Sequence, residues 1–320
     1  MRHLQRLALV AAGCAVVTTA AGARLTAAQS PPTYILFAAT ARGEIDIELF
    51  RVLPNGRHLQ RLTRDVFHEG SPAWSPNRRR IAFTRYTPRA TRCHAICFGS
   101  IWTMDADGKK LRRDTRPPND GDNWVDGGAS WSPNGRSLVF ERSVPSETSI
   151  MTVARNGSHL RRIVALSDNF VADPAWGPTG LIAFVRIDSS EGSRGGDGIF
   201  VMRPDGSGRR KLIGAPPVGD FTFDSPIWNA DGTRLAYAAP YLGRIYVVSA
   251  ASGAVLRTIA VPKTDFDVHM TASRDFRTFA FDTHQKGIYL IGANGRNLRR
   301  LGAANAAMAR LRLEHSPAWH

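Results

Sequence analysis

From Tyr34 onward the chain alternates between short apolar runs and clusters of Pro, Gly, Asn, Asp and Ser. The runs are rich in β-branched and aromatic residues, as in Tyr34-Ile35-Leu36-Phe37-Ala38, Ile81-Ala82-Phe83, Leu138-Val139-Phe140 and Leu235-Ala236-Tyr237. Runs of this kind, bounded by turn residues, predict strands. Pro followed by Asn or Asp and Gly predicts a turn between a first and a second strand, because Pro presets φ and Gly permits φ above zero. Asn-Gly, Asp-Gly or Ser-Gly pairs ending at Gly56, Gly108, Gly157, Gly206, Gly253 and Gly295 predict tight hairpins between third and fourth strands.

These elements repeat as a unit. SPAWSPN occupies 71–77, GASWSPN 128–134, DPAWGPT 173–179, SPIWNAD 225–231 and SPAWH 316–320, with a degenerate HMTASRD at 269–275. Trp74, Trp131, Trp176, Trp228 and Trp319 mark the phrase, and Ala272 takes the remaining slot, at spacings of 57, 45, 52, 44 and 47 residues. Four strands per copy at a period of about 45 residues predict the radial blades of a β-propeller. The last copy stops after its first strand, whereas the chain beyond residue 33 begins with an orphan second strand at Tyr34–Ala38, followed by strands over 45–53 and 58–63. Joining the ends completes a sixth blade and removes the open sheet edges. The expectation is an all-β, six-bladed propeller over residues 33–320, with blade five, where Phe276 replaces the turn glycine, as its least regular member.

The phrases SPAWSPN, IAFTR, IWTMDADG and LRR resemble the propeller repeats of the TolB family. Similar units occur in propellers attached to prolyl-oligopeptidase-type enzymes. The resemblance covers nearly all of the chain after residue 33 and implies the propeller fold far more specifically than it implies a function. TolB has an α/β domain before its propeller; with strand signals starting at Tyr34, this sequence is expected to lack one.

Composition adds the compartment. With 43% hydrophobic and 22% charged residues, the chain falls outside the ranges of disordered proteins and membrane bundles. Arg2 and Arg6, an apolar stretch over 7–17 and small residues through Ala20, Ala21, Gly22 and Ala23 to Ala28 form a secretory signal, expected over residues 1–28 with cleavage after Ala23 or Ala28. The mature protein is therefore expected outside the cytoplasm, periplasmic or secreted. Gly13-Cys14 offers an alternative lipid anchor, although Ala11 stands where a lipobox usually has Leu. Three cysteines cannot form a disulfide framework. Cys93 and Cys97 share a loop with His94; they would form a cross-link there, since a metal site needs more ligands than the loop supplies.

Lys and Arg number 42 against 27 Asp and Glu, and losing Arg2, Arg6 and Arg24 with the signal lowers the net charge from +15 to +12. The excess concentrates in fourth strands, at Arg61, Arg112, Arg113, Arg161, Arg162, Arg209, Arg210, Lys211, Arg257, Arg299 and Arg300. Charges on outer edges discourage edge-to-edge pairing. Spread around a circumference, they do not form the single stripe that nucleic acid requires, but they leave contact with an anionic surface open. The tryptophans read as wedges between blades.

Strand alternation places the longer loops on one face and the tight turns on the other, which is expected to offer little. Just before each first strand sits a carboxylate, Glu69, Asp126, Asp173, Asp224, Asp267 or Glu314. Phe67, Trp124, Phe170, Phe223 and Phe266 lie close to five of them. Such residues predict an acidic, aromatic-dotted funnel suited to a peptide or protein segment, unless the acids serve only as turn hydrogen-bond acceptors. Asp120, Asp122 and Asp126 could place oxygens around calcium, but the loop lacks the Glu of an EF-hand. No nucleophile elbow, HExxH pair or P-loop is present. The resulting expectation is a monomeric, cofactor-free binding protein of the cell envelope. The rival is an enzyme acting on a carbohydrate or lactone through His68, His269, His315 and channel carboxylates.

Overall fold

The computed structural model describes residues 33–319, except 87–97, 117–123, 145–146, 167–168, 189–196, 215–223, 264–268, 283–286 and 304. The signal segment with Cys14, the cysteines Cys93 and Cys97, the acids Asp120, Asp122 and Asp267, and the aromatics Phe223 and Phe266 lie outside them.

The strands follow the repeats. The chain opens with β1 (Ile35–Ala41), β2 (Ile47–Val52) and β3 (Gln60–Arg61). Blade one is β4 (His68–Trp74), β5 (Arg80–Tyr86), β6 (Phe98–Asp105) and β7 (Arg112–Arg113). Blade two is β8 (Trp124–Trp131), β9 (Ser137–Val144), β10 (Glu147–Ala154) and β11 (Arg161–Leu166). Blade three is β12 (Asn169–Trp176), β13 (Ile182–Asp188), β14 (Gly198–Met202) and β15 (Arg210–Gly214). Blade four is β16 (Asp224–Trp228), β17 (Arg234–Ala239), β18 (Arg244–Ser249) and β19 (Val255–Ala260). Blade five is β20 (Met270–Ala272), β21 (Thr278–Asp282), β22 (Ile288–Gly292) and β23 (Arg299–Arg300). The final strand, β24 (Leu311–Trp319), returns to β1 and gives the sheet order β24-β1-β2-β3, with Ile35 opposite Trp319 and Ala41 opposite Leu311.

Within each blade neighbouring strands are antiparallel. Blades one and two form one eight-stranded sheet, because β6 and β8 pair in parallel at Phe98–Trp124 and Gly99–Val125. Gly99 permits this approach, since a Cβ there would lie 2.7 Å from Cγ1 of Val125. The first strands touch in a closed cycle, β24 to β4, β8, β12, β16, β20 and back to β24. They therefore surround one axis. Apolar clusters fill the junctions: Leu36, Leu49, Ile81, Phe83 and Met104 pack blade six on blade one, and Ile35, Phe37, Phe50, Ala280 and Leu290 pack it on blade five.

The repeated phrase has a local cause in its turns. Ser75 Oγ accepts from Arg80 N and donates to Asn77 Oδ1, which also accepts from Arg79 N. Ser132 with Asn134 and Ser273 with Asp275 repeat the arrangement. Short polar side chains thus satisfy turn donors that strand pairing leaves unused. Blade five forms despite its degenerate phrase, and Phe276 adopts the left-handed φ of 56° where Gly135, Gly180 and Gly232 sit in other blades. Its ring is buried and packs 5.4 Å from that of Phe279, which offsets the backbone cost.

Candidate functional site

The channel is built from the first strands, and each phrase shapes it twice. Before the tryptophan slot the strand bulges: the β4–β5, β8–β9, β12–β13 and β16–β17 registers shift within 70–73, 127–130, 172–175 and 224–227. Ser71, Gly128 and Asp173 take positive φ there, at 46°, 58° and 50°. An extra residue in one strand re-aims its side chains and bends the strand. At the same slot by sequence, blade five carries His269.

Beyond the bulge, at the tight-turn end, the tryptophans ring a cavity of about 280 Å³. Trp74, Trp131, Trp176, Trp228 and Trp319 line it, with Ala272 and Phe276 at the blade-five position and Pro76, Pro133 and Pro178 at the rim. The indoles also bridge blades: Trp131 Nε1 donates to Ala73 O at 3.2 Å, Trp228 Nε1 to Ala175 O at 3.0 Å and Trp74 Nε1 to Tyr34 O at 3.1 Å. Trp176 instead bonds its own hairpin at Gly180 O. One edge of the indole serves the scaffold while the ring contributes to the cavity wall. The tight-turn face was expected to offer little, yet it holds this cavity, because the tryptophan slot follows the bulge and so falls at that end.

At the long-loop end the expected acids among the described residues occupy three different slots, and they lie inside the first strands, not ahead of them. Glu69 and Asp126 are buried opposite arginines of the second strand. Arg142 forks Asp126, with Nε at 2.8 Å and Nη2 at 3.0 Å, and lies 4.2 Å from the Trp124 ring centroid. Arg85 Nε lies 2.9 Å from Glu69 Oε1, its Nη2 2.7 Å from Asp65 Oδ2, and its guanidinium 5.0 Å from the Phe67 ring and 4.9 Å from Trp102. The acid and the aromatic read from the sequence therefore meet on one cation in blades one and two. The signal for this was the Arg that ends IAFTR, LVFER and IAFVR. Asp126 spends both oxygens on Arg142. Phe170 presents an exposed ring at the start of β12. Asp224 and Glu314 lie in β16 and β24, and their side chains are outside the described residues, as is that of His315. His68, the first residue of β4, accepts the Ile47 N–H on Nδ1 at 3.1 Å.

Between the two ends Asp173 and His269, both read from the sequence, meet Glu141 and Asp282, which sequence reasoning did not single out. Glu141, in the middle of β9, accepts the Asp173 N–H on Oε2 at 3.2 Å. Burial, reinforced by the Asp173 charge, pushes its carboxyl up to about 7, while His269 pulls the other way. His269 Nδ1 lies 3.6 Å from Asp282 Oδ2, and its backbone N–H donates to Asp282 Oδ1 at 2.9 Å. Among the described residues no group of three or more His, Cys, Asp or Glu is placed to hold a metal ion, and no helix is long and apolar enough to cross a membrane.

A ring of radial antiparallel sheets around an axial channel defines a β-propeller, and solved structures bear this out. The chain is similar to a chain in the crystal structure of a nidogen/laminin complex at TM-score 0.68 and 14% identity, covering 90% of this chain and 98% of that one. It is similar to TolB from Acinetobacter baumannii at TM-score 0.64 and 16% identity, covering 90% of this chain and 66% of TolB. An oligogalacturonate lyase in complex with manganese matches at TM-score 0.55 and 14% identity, over 80% of this chain and 70% of the lyase. At these identities the likeness is one of fold, a TolB-like propeller. No protein-family model and no curated protein matches the sequence.

Proposed function

We propose that this protein is a non-catalytic, extracytoplasmic propeller that binds a peptide or protein segment along its channel. The observation that carries the reading is the tryptophan-ringed cavity. Its 280 Å³ suit one apolar or aromatic side chain, and indole rings supply anchoring surface at low entropic cost. Glu141 and Asp173 would meet a basic residue next to that anchor, and exposed Phe170 would contact the segment at the long-loop entrance. Buried Glu69 and Asp126 act through Arg85 and Arg142 by holding the entrance in shape. The structural neighbours include a propeller crystallised in a nidogen/laminin complex, which fits a protein partner.

Blade five supplies the test. Ala272 occupies the slot that the other blades fill with Trp, so Ala272→Trp should plug the cavity while respecting the repeat. Panning a random displayed peptide library on the protein should enrich an aromatic or large apolar residue beside Lys or Arg. Ala272→Trp should weaken those binders by about tenfold or more, the effect of losing one hot-spot pocket, and Glu141→Gln should relax the preference for the basic residue. No enrichment, or binders indifferent to both variants, would overturn the reading.

The His269–Asp282 pair and the raised Glu141 favour one rival, a carbohydrate- or lactone-acting enzyme, and the oligogalacturonate lyase likeness fits it. Turnover of a uronate oligomer or a lactone that disappears in His269→Ala would select the enzyme.

A further inference from the structure

The basic excess is not spread evenly. Residues 49–64, 232–264 and 283–313 contain no Asp or Glu, and they supply the outer hairpins of blades six, four and five. Two concavities open on this sector, of about 430 and 690 Å³. Arg257, Arg277 and Arg299 line the first; Arg57, Arg299 and Arg300 line the second, so the two meet at Arg299. Among the described residues neither is lined by a carboxylate. Among the described residues only Arg277 of these five has an acidic partner, Asp275 at 3.3 Å, and that pair is exposed.

Two of the arginines are held without being neutralised. Arg257 Nη1 donates to Ala293 O and Arg299 Nη2 to Pro54 O, each at 2.9 Å, which tethers each guanidinium to the next blade. A carbonyl takes one N–H and leaves the charge and the remaining donors for another acceptor. The walls between them carry Asn55, Asn294, Asn297 and Asn305 together with Leu290, Ile291, Ala303 and Ala306, which offers amides to hydroxyl groups and apolar surface to the C–H face of a sugar ring. We propose that this groove binds a linear acidic polysaccharide, with the arginines forking successive carboxylates and the asparagines meeting ring hydroxyls. Guanidinium geometry suits planar carboxylates, and an acid-free concavity concentrates anions. A groove with its cations on the walls favours a strand over a lipid bilayer, which would have to present headgroups on a flat surface. This site lies outside the channel and stands independently of the function proposed above.

Alginate, a polyuronate, is the probe, with neutral dextran and phosphatidylglycerol vesicles as the other arms. Binding to alginate should be measurable, should weaken as salt rises, and should drop about tenfold or more in Arg57→Gln/Arg300→Gln, which removes two of the charge-assisted contacts. Neither side chain makes a hydrogen bond or ion pair among the described residues, so melting should be unchanged. Arg161→Gln/Arg209→Gln removes the same charge from exposed positions on blades two and three and should leave binding intact. Equal weakening in both variants, retention on vesicles but not on alginate, or no alginate binding at all would overturn the proposal. Ala272→Trp should leave alginate binding unaltered, and loss there would place the polymer in the channel and contradict the assignment.

Discussion

Gly253 shows what single residues contribute to the ring. It sits in the third-to-fourth hairpin of blade four at φ 74°, against the Leu212 carbonyl of blade three, where a Cβ would collide with that oxygen. Gly108 meets Leu62 O and Gly206 meets Ile163 O in the same way, each at 2.5 Å from a notional Cβ. The hairpin glycine is therefore needed for blade contact as well as for φ. Gly295, at the same φ of 74° in blade five, has no described residue within 4 Å of a notional Cβ. Gly295→Ala should cost about 1 kcal/mol, the left-handed penalty alone. Gly253→Ala should cost clearly more, because backbone must shift between two blades. Thermal melts of the pair decide it; equal losses would mean that blade contact adds nothing. The Asn-Gly and Asp-Gly hairpins were legible in the sequence. Their second role was not, because the residue they approach belongs to the preceding repeat.

At the scale of the strand, what could be read was the order of elements and the splice of β24 onto β1, since both follow from counting runs within a repeat. The acid pattern could be read as residues but not as a surface. Its offset from the tryptophan slot varies between three and five residues. On a strand of period two with a bulge inside it, such shifts turn side chains to different sides. Glu69 and Asp126 share one slot and face second-strand arginines, whereas Asp173 takes the bulge itself. The arginine-rich outer strands divide likewise. Arg210, Arg257 and Arg299, with Arg51 of the third strand β2, donate to Ala250, Ala293, Pro54 and Ala106 carbonyls of the following blade, so part of the rim charge holds neighbours together. Arg57 and Arg300 bear no such duty, and the groove they line appears only once blades five and six are adjacent.

For the molecule as a whole, the buried and half-buried carboxylates set a pH dependence. Burial pushes Glu69 up to about 8, Glu141 to about 7 and Asp114 to about 6, and raises Asp126 as well. A carboxyl whose folded pKa exceeds its unfolded value binds more protons when folded. Its contribution is complete below about 4, the unfolded carboxylate value, and is lost as pH rises through the folded value. Melting temperature should therefore fall by several degrees between pH 5.5 and 8.5, and Glu69→Gln should flatten that slope. A melting temperature that rises over this window would show that the arginine pairs, not burial, govern these groups.

Every feature of the channel presumes a closed ring, with β24 seated on β1 as firmly as any pair within a blade. Hydrogen exchange followed residue by residue measures this directly, since strand amides in a closed ring open only with the whole domain. Amides in Ile35–Ala41 and in β24 should exchange as slowly as those in β8 and β9. Fast exchange along β24, with β9 still protected, would mean an open ring and would contradict the account.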